Sequence, residues 1–303
     1  MKDYSKYLKK KKHVIYLFHG IIDKNPFRIR NYSKKHLLKE EFINVLDNLN
    51  IKGKCISLEE VWSIIQNKIE FDDYSYSITF DDGFYNNYKI AAPILKKRKL
   101  YATFYITTSF IDKNETSWID KIEHMIEELD KSTTLVIFKK KFKIDNNKKS
   151  KVNFLKSVRN LAKKHRTNFD KLVLEIKTQL KYKKKLSNFN NILDKKMNWS
   201  QVKKLNNCKY FIIGGHTVNH KILSFLNNNQ AKEEINNSIS IIEKKLKTKI
   251  EHFSYPEGLS HTYSKRESNL LKKKRIKICP SAEFGINDKS SDLFNLKRIF
   301  VNL

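Results

Sequence analysis

Cysteine, proline and glycine are scarce in this chain of 303 residues, at three, four and seven. The cysteines, Cys55, Cys208 and Cys279, lie far apart without any paired spacing, which argues against a disulfide framework or a thiolate zinc site and suits a reducing compartment. With so few glycines and prolines, no linker announces itself, and residues 1–303 read as one enlarged domain. Acidic residues are also in short supply, 32 against 62 Lys plus Arg, for a formal charge of +30. That balance suits nucleic acid, an anionic membrane face or an acidic substrate. The lysines, however, are spread in runs at 9–12, 139–141, 183–185 and 272–274 amid abundant Asn and Ile, as AT-rich codon usage produces, and no zinc finger, basic zipper or RNP-type string accompanies them. Nucleic-acid binding is therefore the weakest reading. The first apolar run, residues 14–18, is too short for a signal h-region or a membrane span. A soluble cytoplasmic protein is expected, its basic surface suited to peripheral contact with an anionic inner membrane face.

A hydrophobic content of 40% is enough to fill a sizeable core. Short β-branched and aromatic runs at 13–18, 75–80, 102–107, 210–213, 252–255, 276–279 and 298–301 predict strands. Segments of helical period at 37–49, 58–66, 88–97, 200–205, 230–246 and 263–273 separate them, the alternation of an α/β fold with a mostly parallel sheet. Residues 119–196 differ: they are Lys-rich, lack Gly and Pro, and carry Ile122, Ile126 and Leu129, then Leu172, Leu174, Ile176 and Leu180, mainly at helical spacing. They predict an inserted, mainly helical subdomain with a strand pair around 134–144.

Two segments at predicted strand ends carry chemistry. Asp81-Asp82-Gly83 follows an apolar run, so both carboxylates emerge where α/β sheets place ligands. The same tripeptide also serves as a simple turn, with Gly83 at positive φ and an Asp capping the next helix. His216 and His220, four apart after Gly214-Gly215, face the same way if the segment is one helical turn, and two neutral imidazoles so placed reach one metal. Separately solvated histidines are the plainer alternative. Asp82 with both histidines makes a hydrolytic metal site with open positions, and Asp81 beside it is free to accept a proton from the attacking water.

The run from Ser77 to Phe84, Ser-Ile-Thr-Phe-Asp-Asp-Gly-Phe, resembles the first NodB-homology motif of polysaccharide deacetylases. His216-Thr217-Val218-Asn219-His220 is similar to the second motif, and Phe253-Ser254-Tyr255-Pro256-Glu257-Gly258 to the third. Ala91-Ala92-Pro93-Ile94-Leu95, Ala102-Thr103-Phe104-Tyr105, Trp199-Ser200 and Leu296-Lys297-Arg298-Ile299 agree in order, so the likeness covers about residues 13–118 and 197–303. The resemblance implies a distorted (β/α) barrel with the Lys-rich, mainly helical insertion outside it. It implies Asp82, His216 and His220 as ligands of a divalent metal, usually zinc, and Asp81 as catalytic base. Tyr255, Pro256 and Glu257 are implied at the oxyanion and substrate site, with a main-chain N–H stabilising the charge.

Two positions depart from the family pattern. No Leu-x-His follows near the C-terminus; Phe18-His19, ending the first apolar run in Leu17-Phe18-His19-Gly20, is similar to the Tyr-His near the N-terminus that other members use, so the resemblance implies His19 as the acid, with capping of that strand as its other use. Glu257 stands where an aromatic is commoner, which removes a sugar-stacking platform. Arg298 is the candidate for orienting the base, or else a salt bridge at the core edge. Tyr85, Trp118 and Trp199 line a cleft or pack. The implied activity is N-deacetylation, or deformylation, of an acylated sugar, glycan or lipid- or nucleotide-linked sugar in surface-polysaccharide or lipopolysaccharide biosynthesis. A non-catalytic carbohydrate-binding relative is the alternative from another class.

Overall fold

The computed structural model describes residues 2–187 and 190–302, so Asn188 and Phe189 of the expected insertion, with Met1 and Leu303, lie outside the described residues. Its strands are β1 (His13–Phe18), β2 (Gly20–Ile22), β3 (His36–Leu38), β4 (Lys54–Cys55), β5 (Ser75–Phe80), β6 (Ala102–Ile106), β7 (Thr133–Ile137), β8 (Lys140–Ile144), β9 (Phe211–Gly215), β10 (Pro280–Phe284) and β11 (Leu296–Phe300). The α-helices are α1 (Lys39–Lys52), α2 (Leu58–Gln66), α3 (Ala92–Lys97), α4 (Thr108–Lys113), α5 (Trp118–Glu127), α6 (Lys148–Lys164), α7 (Phe169–Gln179), α8 (Trp199–Asn206), α9 (Asn228–Leu246) and α10 (Lys265–Lys273).

The central sheet is parallel, in the order β10-β11-β1-β5-β6-β9, with β4 on the lower part of β5. Every residue of β1 and of β5 is buried; β1 is a near-continuous apolar run, as a strand covered on both faces requires, while the hydroxyls of Ser75, Ser77 and Thr79 in β5 are hydrogen-bonded. Between the outer strands β9 and β10 the predicted strands at 252–255 and 276–279 appear only as single bridges, Gly215 with Phe253 and His252 with Ile278. Amide bonds from Ser254 to the Gly215 carbonyl and from Phe253 to the Ile278 carbonyl carry the ladder across this gap. Pro256 and Pro280, lacking N–H groups, bound these segments and keep them from becoming regular ladders. The sheet thus curls round on itself as a distorted α/β barrel.

Register explains where the chemistry lies. Phe18 pairs with Phe80, and the Asp81 amide donates to the Phe18 carbonyl, so His19 and Asp81 leave the sheet side by side. Ile106 pairs with Gly215, and the His216 amide donates to the Ile106 carbonyl, which brings the histidine segment to the same carboxyl edge. Gly214 and Gly215 are needed there: a Cβ would come within 2.5 Å of Tyr105 and 2.7 Å of Phe253. The predicted helix at 88–97 begins as a π turn over Asn87–Ala91 and becomes α-helical only at α3, where Pro93 has no N–H to extend the pattern backwards.

Residues 118–186 supply most of a second hydrophobic cluster built on Ile122, Ile126, Leu135, Ile144, Phe154, Leu155, Val158 and Ile176. Helices α5, α6 and α7 pack there around the antiparallel hairpin β7–β8. Arg30 and Asp194, each 1% exposed, form a two-pronged ion pair at 2.7 Å beside it. Among the described residues no helix is long and apolar enough to cross a membrane.

Candidate active site

Arg298 on β11 reaches under the first strand-end loop and grips Asp81 with both prongs, Nη1 to Oδ1 and Nη2 to Oδ2 at 2.9 Å each. Its remaining donors bond Thr79 Oγ1, Ser254 Oγ and the Ser281 carbonyl, so the guanidinium is fully satisfied in a site where it is 1% exposed. Burial alone pushes the Asp81 carboxyl up, but Arg298 and then His216 outweigh it and hold it below the usual carboxylate range. Asp81 is therefore an oriented, ionised base at neutral pH.

Asp82, the next residue, turns the other way because its φ is +74°, in the left-handed region. Thr217 and His220 are also left-handed, at φ 63° and 55°. Such conformations cost on the order of 1–3 kcal/mol each and persist only where the surroundings enforce them. Here the enforcement is visible. Glu234 on α9 accepts the Val218 and Asn219 amides at 3.0 and 2.8 Å and the Asn219 side chain at 2.7 Å, while Thr217 Oγ1 accepts the His220 amide. The 216–220 segment is thus a pinned loop, which corrects the expectation of a helical turn; convergence of the two rings, 4.9 Å apart, comes from these bonds.

Asp82 Oδ1 lies 3.2 Å from His220 Nε2 and 3.6 Å from His216 Nε2, and one ligand atom from each residue falls within 4.8 Å of the others. His216 Nδ1 lies 2.7 Å from the Ser254 carbonyl, an acceptor only, so the proton sits on Nδ1 and Nε2 presents its lone pair. Asp82 Oδ1 is buried without a hydrogen-bond partner among the described residues. A buried orphan carboxylate oxygen between two imidazole nitrogens is the donor set that a divalent cation satisfies. Without one, burial lowers the His216 pKa, whereas burial at His220 is outweighed by Asp82, which raises it.

These groups share the wall of a 240 Å³ cavity with His19, Lys35, Trp118, Glu123, Arg159 and Glu257. Ser117, Trp118 and His220 also line a neighbouring cavity of about 730 Å³, so the space beside the site extends beyond this cavity. His19 stands at the wall with its edge towards the Phe300 ring and its Nδ1 unpartnered among the described residues. Burial pushes its pKa down to about 4, so at neutral pH it is an uncharged imidazole and not a ready acid. Glu257 is tied by ion pairs to Arg159 at 3.3 Å and Lys163 at 2.6 Å on α6. Tyr255 departs from its expected place: its ring stacks on Tyr263 inside the core and its hydroxyl donates to the Phe294 carbonyl. Pro256 is buried beside it, so of the third motif only Glu257 lines the cavity. Tyr85 and Trp199 lie outside the wall; Trp199 donates to Asp112 between α8 and α4. Lys35, Glu123, Arg159 and Glu234 belong to no motif; the one signal in the sequence that could find any of them is the three-residue spacing of Asp120 and Glu123 among the apolar residues of α5.

Among solved structures, a deacetylase from Streptococcus pyogenes, PplD in complex with acetate, is 16% identical, covers 96% of this chain and 92% of its own, and gives a TM-score of 0.61. IcaB from Ammonifex degensii is 16% identical over 97% and 94%, with a TM-score of 0.62. The BpsB deacetylase domain of Bordetella bronchiseptica is 11% identical over 97% of both chains, at 0.58. At these identities the likeness is one of fold. A comparison with curated proteins finds no match. The polysaccharide deacetylase family profile matches residues 68–135 and 173–277, more than half of the chain, and takes in Asp81, Asp82, both histidines and the 253–258 segment. By that match the chain belongs to the polysaccharide deacetylase family, hydrolases that remove N-acyl groups from sugars.

Proposed function

We propose that the protein removes the N-acetyl group from a sugar in surface-polysaccharide or lipopolysaccharide biosynthesis, using a divalent metal, zinc, held by Asp82, His216 and His220. The observation that carries this reading is the convergence of three ligand atoms beside an Arg298-oriented Asp81 in one cavity. A bound metal supplies Lewis-acid polarisation of the acyl carbonyl. Asp81 takes the proton from the attacking water, and Arg298 keeps its carboxylate aimed and ionised. Main-chain donors near Glu257 meet the developing oxyanion, already fixed in place and so needing no reorganisation. The departing amine requires a proton, and His19, the acid expected from the sequence, stands on the wall but is held uncharged by burial.

In this reading the substrate is met in the cytoplasm or at the inner membrane face, as a lipid- or nucleotide-linked sugar. The +30 charge supports a phosphate-bearing donor, and the three free cysteines suit a reducing compartment. Bound metal, measured by mass spectrometry in the wild type and in His216→Ala, tests the core of the proposal. About one ion per chain, lost in the variant, is the expected outcome. A wild-type protein that stays metal-free after zinc is supplied and the excess removed would overturn it.

A further inference from the structure

Three cations, the buried Arg30 and the half-buried Lys35 and Arg159, surround Glu123, and each is already matched to a different carboxylate. Lys35 bonds both oxygens of Asp120 at 2.8 and 2.9 Å, Arg30 holds Asp194 through two 2.7 Å bonds, and Arg159 pairs with Glu257. Asp120 is further satisfied by the hydroxyls of Thr116 and Ser117. Glu123, 6% exposed, makes no ion pair within 4.0 Å among the described residues. A buried carboxyl left over once its neighbouring cations are spoken for is cheaper to keep neutral than ionised. A neutral carboxyl carries a proton, and this one opens onto the cavity that holds Asp81, Asp82, His216 and His220.

On the deacetylase reading above, we propose that Glu123, carried into the cavity by α5, donates the proton to the departing sugar amine. Water's oxygen bonds to the acyl carbon while Asp81 takes its proton. The C–N bond then breaks, its electron pair stays on nitrogen, and nitrogen takes the Glu123 proton. A free acid and a sugar amine result; Asp81 gives its proton to solvent and Glu123 recovers one. The electrostatics agree with the packing. Burial first and the Asp120 charge second raise the Glu123 pKa, outweighing Lys35 and Arg30 and a bond from the Asn31 backbone. Tyr32 and Arg159 also face it. His19, by contrast, is held uncharged.

The decisive experiment varies the leaving group. An N-acetylated sugar expels an amine that must be protonated, whereas 4-nitrophenyl acetate expels a phenolate that need not be. Both are assayed with the metal-loaded wild type and with Glu123→Gln, His19→Ala and Asp81→Asn. The expected result is a fall of about 100-fold or more in kcat on the amide for Glu123→Gln, as loss of a general acid gives, with ester hydrolysis and metal content within about threefold of wild type. Retained ester hydrolysis also shows that the variant is folded. Equal loss on both substrates, or no loss on either, overturns the proposal, as does finding the leaving-group signature in His19→Ala instead. Ester hydrolysis that survives Asp81→Asn would sink the underlying reading of the site, a separate failure.

Discussion

Replacing Arg298 by methionine leaves the Asp81 carboxylate buried with its main counter-charge gone, and in the same step removes the guanidinium bonds to Thr79 and Ser254. Breaking a buried pair by removing one partner costs about 3–5 kcal/mol. Unfolding entropy near 60 °C is about 2.1 cal/mol/K per residue, hence about 0.6 kcal/mol/K for this chain, so Tm should fall by about 5–8 °C. The sign of the pH dependence is also fixed. In the wild type Asp81 titrates below its unfolded value, so its stabilisation is present above pH ~4 and is lost as pH falls through the lower folded pKa. In the variant burial dominates, the folded pKa rises above the unfolded one, and the variant loses stability relative to wild type as pH rises from ~4 to 7. Thermal unfolding of the metal-free proteins across that range, with Asp81→Asn combined into the set, is the assay. Asp81→Asn should restore stability in the Arg298→Met background and cost stability in the wild type. Equal effects in both backgrounds would refute the coupling on which the description of the base rests.

Two further outcomes follow from the site's supports. Lys196 is 4% exposed with its Nζ over the Phe84 ring and unpartnered among the described residues, and burial lowers its pKa from 10.5 to about 8. The unfolded chain therefore binds more protons between those values, so metal-free stability should rise by up to about 3 kcal/mol between pH 8 and 10.5, a rise that Lys196→Met abolishes in chemical denaturation. Glu234→Gln keeps the shape but weakens the acceptor that pins residues 218 and 219, and zinc affinity by chelator competition should drop about 10–100-fold; an unchanged affinity would show that the loop holds itself.

The fully buried strands β1 and β5 are legible at their full extent because short runs rich in aromatic and β-branched residues, unbroken in β1 from Val14 and alternating with hydroxyl residues in β5, lack any helical period. The segments at 252–255 and 276–279 looked equally strand-like, yet became single bridges, since pairing depends on a neighbour's register that no local pattern encodes. Helices fared similarly: α2 matched its predicted bounds, while α9 starts two residues early, where Asn227 and Gln230 form a capping box.

What the sequence determined by itself is the set of reactive groups and their order: two adjacent carboxylates and a paired histidine segment, each following an apolar run and so delivered to one edge of a parallel sheet. The family resemblance named Arg298 as the partner of the base, but tertiary structure decided that it and the other charges meet. Arg298 reaches Asp81 across 217 positions, Arg159 reaches Glu257 across 98, and among the described residues Glu123 is left without a counter-ion only because Lys35, Arg30 and Arg159 are claimed by others. Charge matching in a buried cluster is a competition among all the groups that the fold brings within a few ångströms. Its outcome depends on distances through space and on exclusion of water, and neither is written in the spacing of residues along the chain.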